Sequence, residues 1–290
     1  MLTRELIAKV RKLEIKTRKI VEDIAGGAYH SMFKGRGIEF SEVRSYAMED
    51  DVRDIDWNVT ARMGAPFIKK YVEERELTVI LAVDLSRSVA FGSSCSVKRE
   101  RIAEAAALLA FSAIRNNDKV GLLLFTDQVE LYLPPRSGKR HVLRVIRELV
   151  GCEPKGQGTD LAQALEFLAR SQKTSAVIFL LSDFMDGGDW ERPLKHLSRK
   201  HDVAAFRTLD PLEYALPCSA ALQLVDAENG TYAVYQASPE EYAAAQKELR
   251  EDVESIFRHA RVDMVDLPGE EDIVPPLIRF FQCRRQRRAL

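Results

Sequence analysis

The sequence is poor in the residues that build the commonest metal and redox centres. It has four cysteines, Cys95, Cys152, Cys218 and Cys283, and no two of them are close in the chain. That excludes a CxxC redox pair and a zinc-ribbon spacing, and reduced, mostly packing cysteines are expected. The five histidines are scattered, with no HExxH or mixed Cys/His cluster, which removes the usual zinc sites. Long apolar runs are missing too. A stretch such as Ala176 to Leu181 is far too short to span a bilayer. Residues 3–24 are interrupted by charge throughout and do not read as a signal peptide. Excess charge of either sign is also lacking. The formal net charge is −1, so the field of the whole molecule favours neither nucleic acid nor an anionic membrane. These absences together point to a cytoplasmic protein.

What is present is enough for a real core. Of 290 residues, 46% are hydrophobic and 30% charged, which fits a soluble globular chain rather than a disordered one. The organisation divides into an N-terminal extension, 1–75, and a regular domain, 76–290. Leu6, Val10, Leu13, Thr17, Ile20 and Ile24 recur at helical spacing. Thr3 would cap that helix and Gly26-Gly27 would stop it. Its Lys9, Lys12, Lys16 and Lys19 are expected to form a solvated face on a helix docked to its own protein. Residues 28–75 are charge-dense, with short alternations at Ile38, Phe40 and Val43. They predict irregular structure with short strands, tethered to the core by Trp57 and Phe67.

From Leu77 the pattern becomes regular. Apolar runs at Leu77–Val83, Val120–Phe125, Ala176–Leu181 and Val203–Thr208 predict buried strands. Val129–Leu133 predicts an edge strand closed by Pro134-Pro135. Helices are expected over Arg99–Arg115, around Val142–Leu149, Leu161–Leu168 and Trp190–Arg199. This alternation predicts an α/β fold with a mostly parallel, doubly wound, Rossmann-type sheet covered by helices on both faces. Glu228-Asn229-Gly230, between Leu222–Val225 and Thr231–Tyr235, signals a hairpin. Ser238-Pro239-Glu240-Glu241 is a capping box that opens a helix through Ile256. A strand at Val262–Leu267 and a helix at Asp272–Phe281 follow.

Ligands of an open parallel sheet bind at the carboxyl ends of its strands. Three segments place hard oxygen donors there: Asp84-Leu85-Ser86-Arg87-Ser88, Gly156-Gln157-Gly158-Thr159-Asp160, and Ser182-Asp183. Asp84, Ser86, Ser88, Thr159 and Asp183 supply two carboxylates and three hydroxyls. That donor set suits Mg²⁺, with Mn²⁺ or Ca²⁺ as alternatives, and nothing in it is soft enough to select zinc or copper. The alternate spacing of 84, 86 and 88 would let an extended loop aim three side chains one way. Gly156 and Gly158 would let the Thr159 loop approach closely.

The DxSxS stretch at 84–88, followed in order by Thr159 and Asp183, resembles the metal-ion-dependent adhesion site of von Willebrand factor A domains. The resemblance implies hydroxyl ligation by Ser86, Ser88 and Thr159, and direct or water-mediated binding by Asp84 and Asp183. Upstream, Gly35 to Phe40, Arg44-Ser45-Tyr46, Asp50 to Trp57 and Thr60-Ala61-Arg62 narrow it. The chain resembles the bacterial family of unknown function whose A-like domain accompanies MoxR-type AAA+ ATPases. That implies a non-catalytic binding module whose ion bridges to a carboxylate on a partner, such as a MoxR-type ATPase. Ser182-Asp183-Phe184 departs from the Thr-Asp-Gly common in A domains. Arg87 also departs, and a cation there would either weaken ion binding or recruit an acidic ligand.

Other motifs carry ordinary readings. Asp160 caps the helix at Leu161 rather than binding metal, and Asp186 and Asp189 solvate their loop. Gly35-Arg36-Gly37 lacks the third glycine and the strand–helix frame of a phosphate cradle. Asp50 to Asp56 lacks the glycine and final glutamate of an EF-hand and is expected to pair with Arg44, Arg53 and Arg62. The tail Arg284 to Arg288 reads as a solvated end. A Mg²⁺-dependent hydrolase using Asp84 is the alternative. It is disfavoured because Ser86 stands where a phosphatase-like pattern wants a second carboxylate.

Overall fold

The central strands of the principal sheet are buried, mostly apolar runs that need cover on both faces, and this requirement sets the architecture. The structure, a computed structural model, describes residues 39–47, 50–72, 76–93, 97–214, 222–225, 230–235, 238–267, 269 and 272–288. The helix expected at 3–24, Cys95 and Cys218 lie outside the described residues.

The extension contributes β1 (Glu39–Ser45), α1 (Trp57–Met63) and β2 (Phe67–Val72). The two strands pair antiparallel as a sheet of their own. Asp56 caps α1 by accepting N–H bonds from Asn58 and Val59, and Gly64 ends it at φ 70°. The short strands were expected and the helix was not. Arg44 pairs with Asp50 at 2.6 Å, as the charge pattern suggested. Trp57 does not tether this region, because it is 67% exposed. It is the first residue of a helix in which no described side chain is buried.

The regular domain runs β3 (Thr78–Asp84), α2 (Lys98–Arg115), β4 (Lys119–Phe125), β5 (Val129–Arg136), α3 (Lys139–Gly151) and α4 (Leu161–Ser171). It continues through β6 (Val177–Ser182), α5 (Glu191–Ser198), β7 (Asp202–Thr208), β8 (Leu222–Val225) and β9 (Tyr232–Tyr235). It closes with α6 (Pro239–His259), β10 (Asp263–Leu267) and α7 (Val274–Arg288). Six strands form one sheet in the order β10-β7-β6-β3-β4-β5, all parallel except the β4–β5 pair. The expected mostly parallel α/β fold is therefore what the chain adopts.

Alternation within β3 shows the two-sided packing. Val79, Leu81 and Val83 join a cluster with Ile102 and Leu109 of α2, Val142 and Ile146 of α3, and Leu277 and Phe281 of α7. Ile80 and Ala82 join the opposite cluster, with Leu165 and Leu168 of α4, Leu194 of α5 and Phe257 of α6. Helix α2 is buried well beyond the expected stripe, because Ala105, Ala106, Ala107, Ala110 and Ala113 let it lie close against the sheet.

Some boundaries differ for clear reasons. Strand β5 runs through Pro134-Pro135 to Arg136 instead of stopping there. It is an edge strand, so a missing N–H can face away from the ladder. Gly121 opposite has no Cβ to meet the Pro135 ring, which would lie 3.0 Å from one. The hairpin forms as a separate antiparallel pair, Leu222↔Tyr235 to Val225↔Tyr232. The Ser238–Glu241 capping box is present in both directions. The basic tail is not a free end. It continues α7, where Arg284 pairs with Asp202 and Asp263, and Arg287 with Asp263.

His201 enters β7 almost fully buried, and neither ring nitrogen has a hydrogen-bond partner among the described residues. Burial, aided by Lys200, lowers its pKa below the usual 6.5 and keeps it neutral. The stability this provides is complete above that value and is lost as pH falls below it. His201→Leu should therefore gain on the wild type between pH 7 and pH 5. Urea denaturation at both pH values checks this, and an unchanged difference between the two proteins contradicts it.

Candidate functional site

The chain order of the sheet reverses at β3. The chain leaves β3 toward β4 and β5, then returns to place β6 on the other side. Such a reversal opens a crevice at the carboxyl ends of the two central strands. Asp84 is the last residue of β3, Ser182 the last of β6, and Asp183 follows it.

Asp84 is fully buried. One carboxylate oxygen accepts the Ser86 N–H at 2.8 Å, and the other accepts the Ser182 hydroxyl at 2.6 Å. Ser182 Oγ in turn accepts the Phe184 N–H at 2.9 Å. Ser86 Oγ and Ser88 Oγ lie 3.0 Å apart. The extended loop expected from the 84, 86, 88 spacing does not form. The chain turns at Ser86 and enters a 3-10 turn over Ser88–Ala90. The turn, not strand alternation, brings the hydroxyls together.

Asp183 is buried beside Asp84. Burial first, and then the charge of Asp183, push the Asp84 carboxyl up from 3.8 to about 7. Asp183 Oδ2 is held by Lys98 Nζ at 2.8 Å, and the same ammonium reaches Glu213 Oε1 at 2.6 Å. Phe184 follows at φ 57°, in the left-handed region where glycine is at ease. Contacts with Trp190 and Phe257 hold it there. That conformation accounts for the glycine of the Thr-Asp-Gly pattern, and here aromatic packing replaces it.

The Thr159 loop docks on this rim through its backbone. The Arg87 N–H donates to the Gln157 carbonyl at 3.0 Å, and the Asp160 N–H to the Thr126 carbonyl at 3.0 Å. Glu130 accepts the Lys155 and Gly156 N–H groups at 2.9 and 2.7 Å. Thr159 stands half-buried on that loop. Asp160 caps α4 through the Gln163 N–H, as expected. Asp186 does more than solvate its loop. It accepts the Leu161 N–H at 2.8 Å and ties the β6 loop to the start of α4.

The donors brought together here, Asp84, Ser86, Ser88 and Asp183, are of the chemical kind that suits a hard divalent ion; the Thr159 hydroxyl is not among the groups that these bonds bring together. Ser86 Oγ and Ser88 Oγ, hydrogen-bonded to each other at 3.0 Å, are close enough to face one ion together. Two neighbouring buried carboxylates repel each other and are relieved by a cation. Among the described residues, no three His, Cys, Asp or Glu side chains converge, so hydroxyl oxygens would have to complete the shell.

Sequence reading missed Lys98, Glu213, Asp210 and the orienting hydroxyl of Ser182. Asp210 accepts from Ser93, with the N–H at 2.7 Å, and its own N–H donates to Glu213 at 2.7 Å. These residues are far apart in the chain. The only local signal was the Asp210-Pro211-Leu212-Glu213 capping pattern.

Comparison with known proteins adds the following. The profile of a family described as "Protein of unknown function DUF58" matches residues 42–254. Uncharacterized protein Rv1480 of Mycobacterium tuberculosis and Uncharacterized protein Mb1516 of Mycobacterium bovis are each 31% identical over 287 residues. In both cases the alignment spans 97% of this chain and 90% of the relative. Among solved structures, the chain is similar to an aerotolerance-related membrane protein from Bacteroides fragilis (17% identity, 73% of this chain and 99% of that one, TM-score 0.48). It is also similar to a von Willebrand factor type A protein from Catenulispora acidiphila (14% identity, 62% and 43%, TM-score 0.38). Among the described residues, no helix is long and apolar enough to cross a membrane.

Two variants probe this geometry without a ligand. Because the Asp84 pKa is raised, the stability attached to its neutral form is present below pH 3.8 and lost as pH rises through about 7. In chelator at pH 8, Asp84→Asn should be more stable than the wild type, by on the order of 2–4 kcal/mol, and the gain should vanish near pH 4. A Cβ on Gly156 would collide with Asp127 Oδ1 and with Thr126 Oγ1, and would meet Thr126 Cβ at 3.0 Å. Gly156→Ala should therefore lose about 1–3 kcal/mol in urea denaturation, and a neutral result contradicts the tight approach of the loop.

Proposed function

We propose, from the premise that this chain belongs to the family described as Protein of unknown function DUF58, that it is a non-catalytic protein-binding module. Its rim would hold a divalent cation, Mg²⁺ in the first instance, that bridges to a carboxylate of a partner protein. The observation that carries the reading is the buried pairing of Asp84 with Asp183 beside the adjoining hydroxyls of Ser86 and Ser88. Ser86, Ser88 and Thr159 would hold the ion through hydroxyls, and Asp84 and Asp183 directly or through water. The bound ion would supply a Lewis-acidic position for an external carboxylate oxygen. A MoxR-type AAA+ ATPase presenting an acidic residue is the partner class proposed.

The chain's own residues serve docking more than turnover. Ser86 and Ser182 each donate to one oxygen of Asp84, which orients the carboxylate and leaves lone-pair capacity for an ion. Lys98 is engaged by two carboxylates and is no free acid or base. Arg87 is exposed between the two serines while its backbone is pinned to Gln157. An exposed cation there favours the role of attracting an acidic partner over that of opposing the ion. Phe91, 43% exposed just beyond the 3-10 turn, offers an apolar contact at the same rim.

One observation favours the alternative of a Mg²⁺-dependent hydrolase: a carboxyl raised to about 7 in a crevice is a feature of acid–base centres. The complete burial of Asp84 argues against it, because a nucleophile or base must reach substrate.

Pull-down of a MoxR-type ATPase with Mg²⁺ present should be abolished by EDTA and by Asp84→Ala. Arg87→Glu should weaken capture about tenfold or more and leave Mg²⁺ affinity within a few-fold. Capture indifferent to both chelator and Asp84→Ala would sink the bridge. Turnover of generic phosphoesters that is lost in Asp84→Asn would favour the hydrolase.

A further inference from the structure

Lys98 is out of place by ordinary rules. A lysine is almost never fully buried unless it is paired, and this one is 3% exposed at the start of α2. Its ammonium contacts one of the proposed ion ligands, Asp183, at 2.8 Å, and Glu213 at 2.6 Å. Two carboxylates in contact with the ammonium compensate for its burial. It is therefore charged in place. Asp183 has a second tie: its other oxygen accepts the Met185 N–H at 3.2 Å. Glu213 belongs to the turn that Asp210 and Ser93 fasten to the loop after Ser88.

We propose that Lys98 is a resident counter-cation of the site, which withdraws Asp183 from full charge donation and so limits the affinity for a divalent ion. The inference rests on the proposed ion-binding function and deepens it. The physical reasoning is Coulombic. A unit positive charge in contact with a ligand carboxylate opposes a divalent cation on the other side of that carboxylate, and burial leaves little water to screen the opposition. Lys98 is shared between Asp183 and Glu213, so with all groups ionised the carboxylates Asp84, Asp183 and Glu213 and the one ammonium sum to −2, and without the lysine they sum to −3. The lysine therefore weakens the attraction that the site offers a divalent ion, and its removal strengthens it.

Calorimetric titration of the full chain with Mg²⁺ alone tests this, using wild type, Asp84→Ala and Lys98→Met. Wild type should bind and Asp84→Ala should not. Lys98→Met should bind at least tenfold more tightly than wild type. Its melting temperature should fall in EDTA, because Asp183 and Glu213 lose their shared cation, and should recover on adding Mg²⁺ by more than the wild type gains. If Lys98→Met does not fold in EDTA, Lys98→Met/Glu213→Gln removes one stranded charge and is titrated instead. Equal or weaker binding by the lysine variants, with normal wild-type binding, overturns the role of Lys98 and leaves the proposed function standing. No binding by any protein overturns both. Binding only by the lysine variants supports the counter-cation and overturns ion loading of the wild type.

Discussion

Two carboxylates buried side by side at the ends of neighbouring parallel strands are the constraint around which this molecule is arranged. Asp84 and Asp183 are almost wholly removed from water. Burying a charge without compensation is expensive, and burying two of like sign is worse. The fold answers on three sides. Serine hydroxyls and backbone N–H groups fix the oxygens, Lys98 lends a positive charge, and the sheet keeps the two strand ends in register, Val83 opposite Leu181. A core selected for stability alone would put apolar residues at these positions, since hydrophobic isosteres often match or exceed buried ion pairs. The two carboxylates are therefore a cost to stability that the surrounding hydroxyls, N–H groups and ammonium offset.

The same logic orders what surrounds the site. Helix α2 begins with the lysine that faces Asp183, and its alanine-rich length brings it close enough to the sheet to deliver that side chain. Aromatic packing of Phe184, Trp190 and Phe257 fixes the chain just after Asp183 in a conformation that a free loop would avoid. Arg207, 2% exposed and opposite Ser182 in β7, is neutralised by Asp266 and Glu254, so its charge is spent away from the rim. Ionic groups near the crevice are thus paired locally, and the exposed cation between the serines, Arg87, is left facing solvent.

Much of the fold was legible because the strands are short apolar runs and the helices amphipathic. Those periodicities located β3, β4, β6, β7 and nearly all the helices of the regular domain within a few residues. The placement of Asp84 and Asp183 at strand ends was legible for the same reason. What could not be read was anything set by contacts distant in sequence. Lys98 is one charged residue in the run Lys98-Arg99-Glu100-Arg101, and only the folded chain shows which of the four turns inward. The tail arginines looked free because Asp202 and Asp263 lie far upstream of them. Trp57 looked like core by its size, yet α1 leaves it in solvent. The convergence of Ser86 and Ser88 was anticipated for a mistaken reason, since i, i+2 spacing fits a strand and the chain forms a turn there.

The proposed function requires one divalent ion between these loops. Crystals soaked in Mn²⁺ and measured at its absorption edge test this most directly. The account predicts a single strong anomalous peak about 2.2 Å from the hydroxyl oxygens of Ser86 and Ser88, on the Asp84 side of the crevice. A map with no peak there, or with the metal held by other carboxylates such as Glu130 or Asp186, would contradict it.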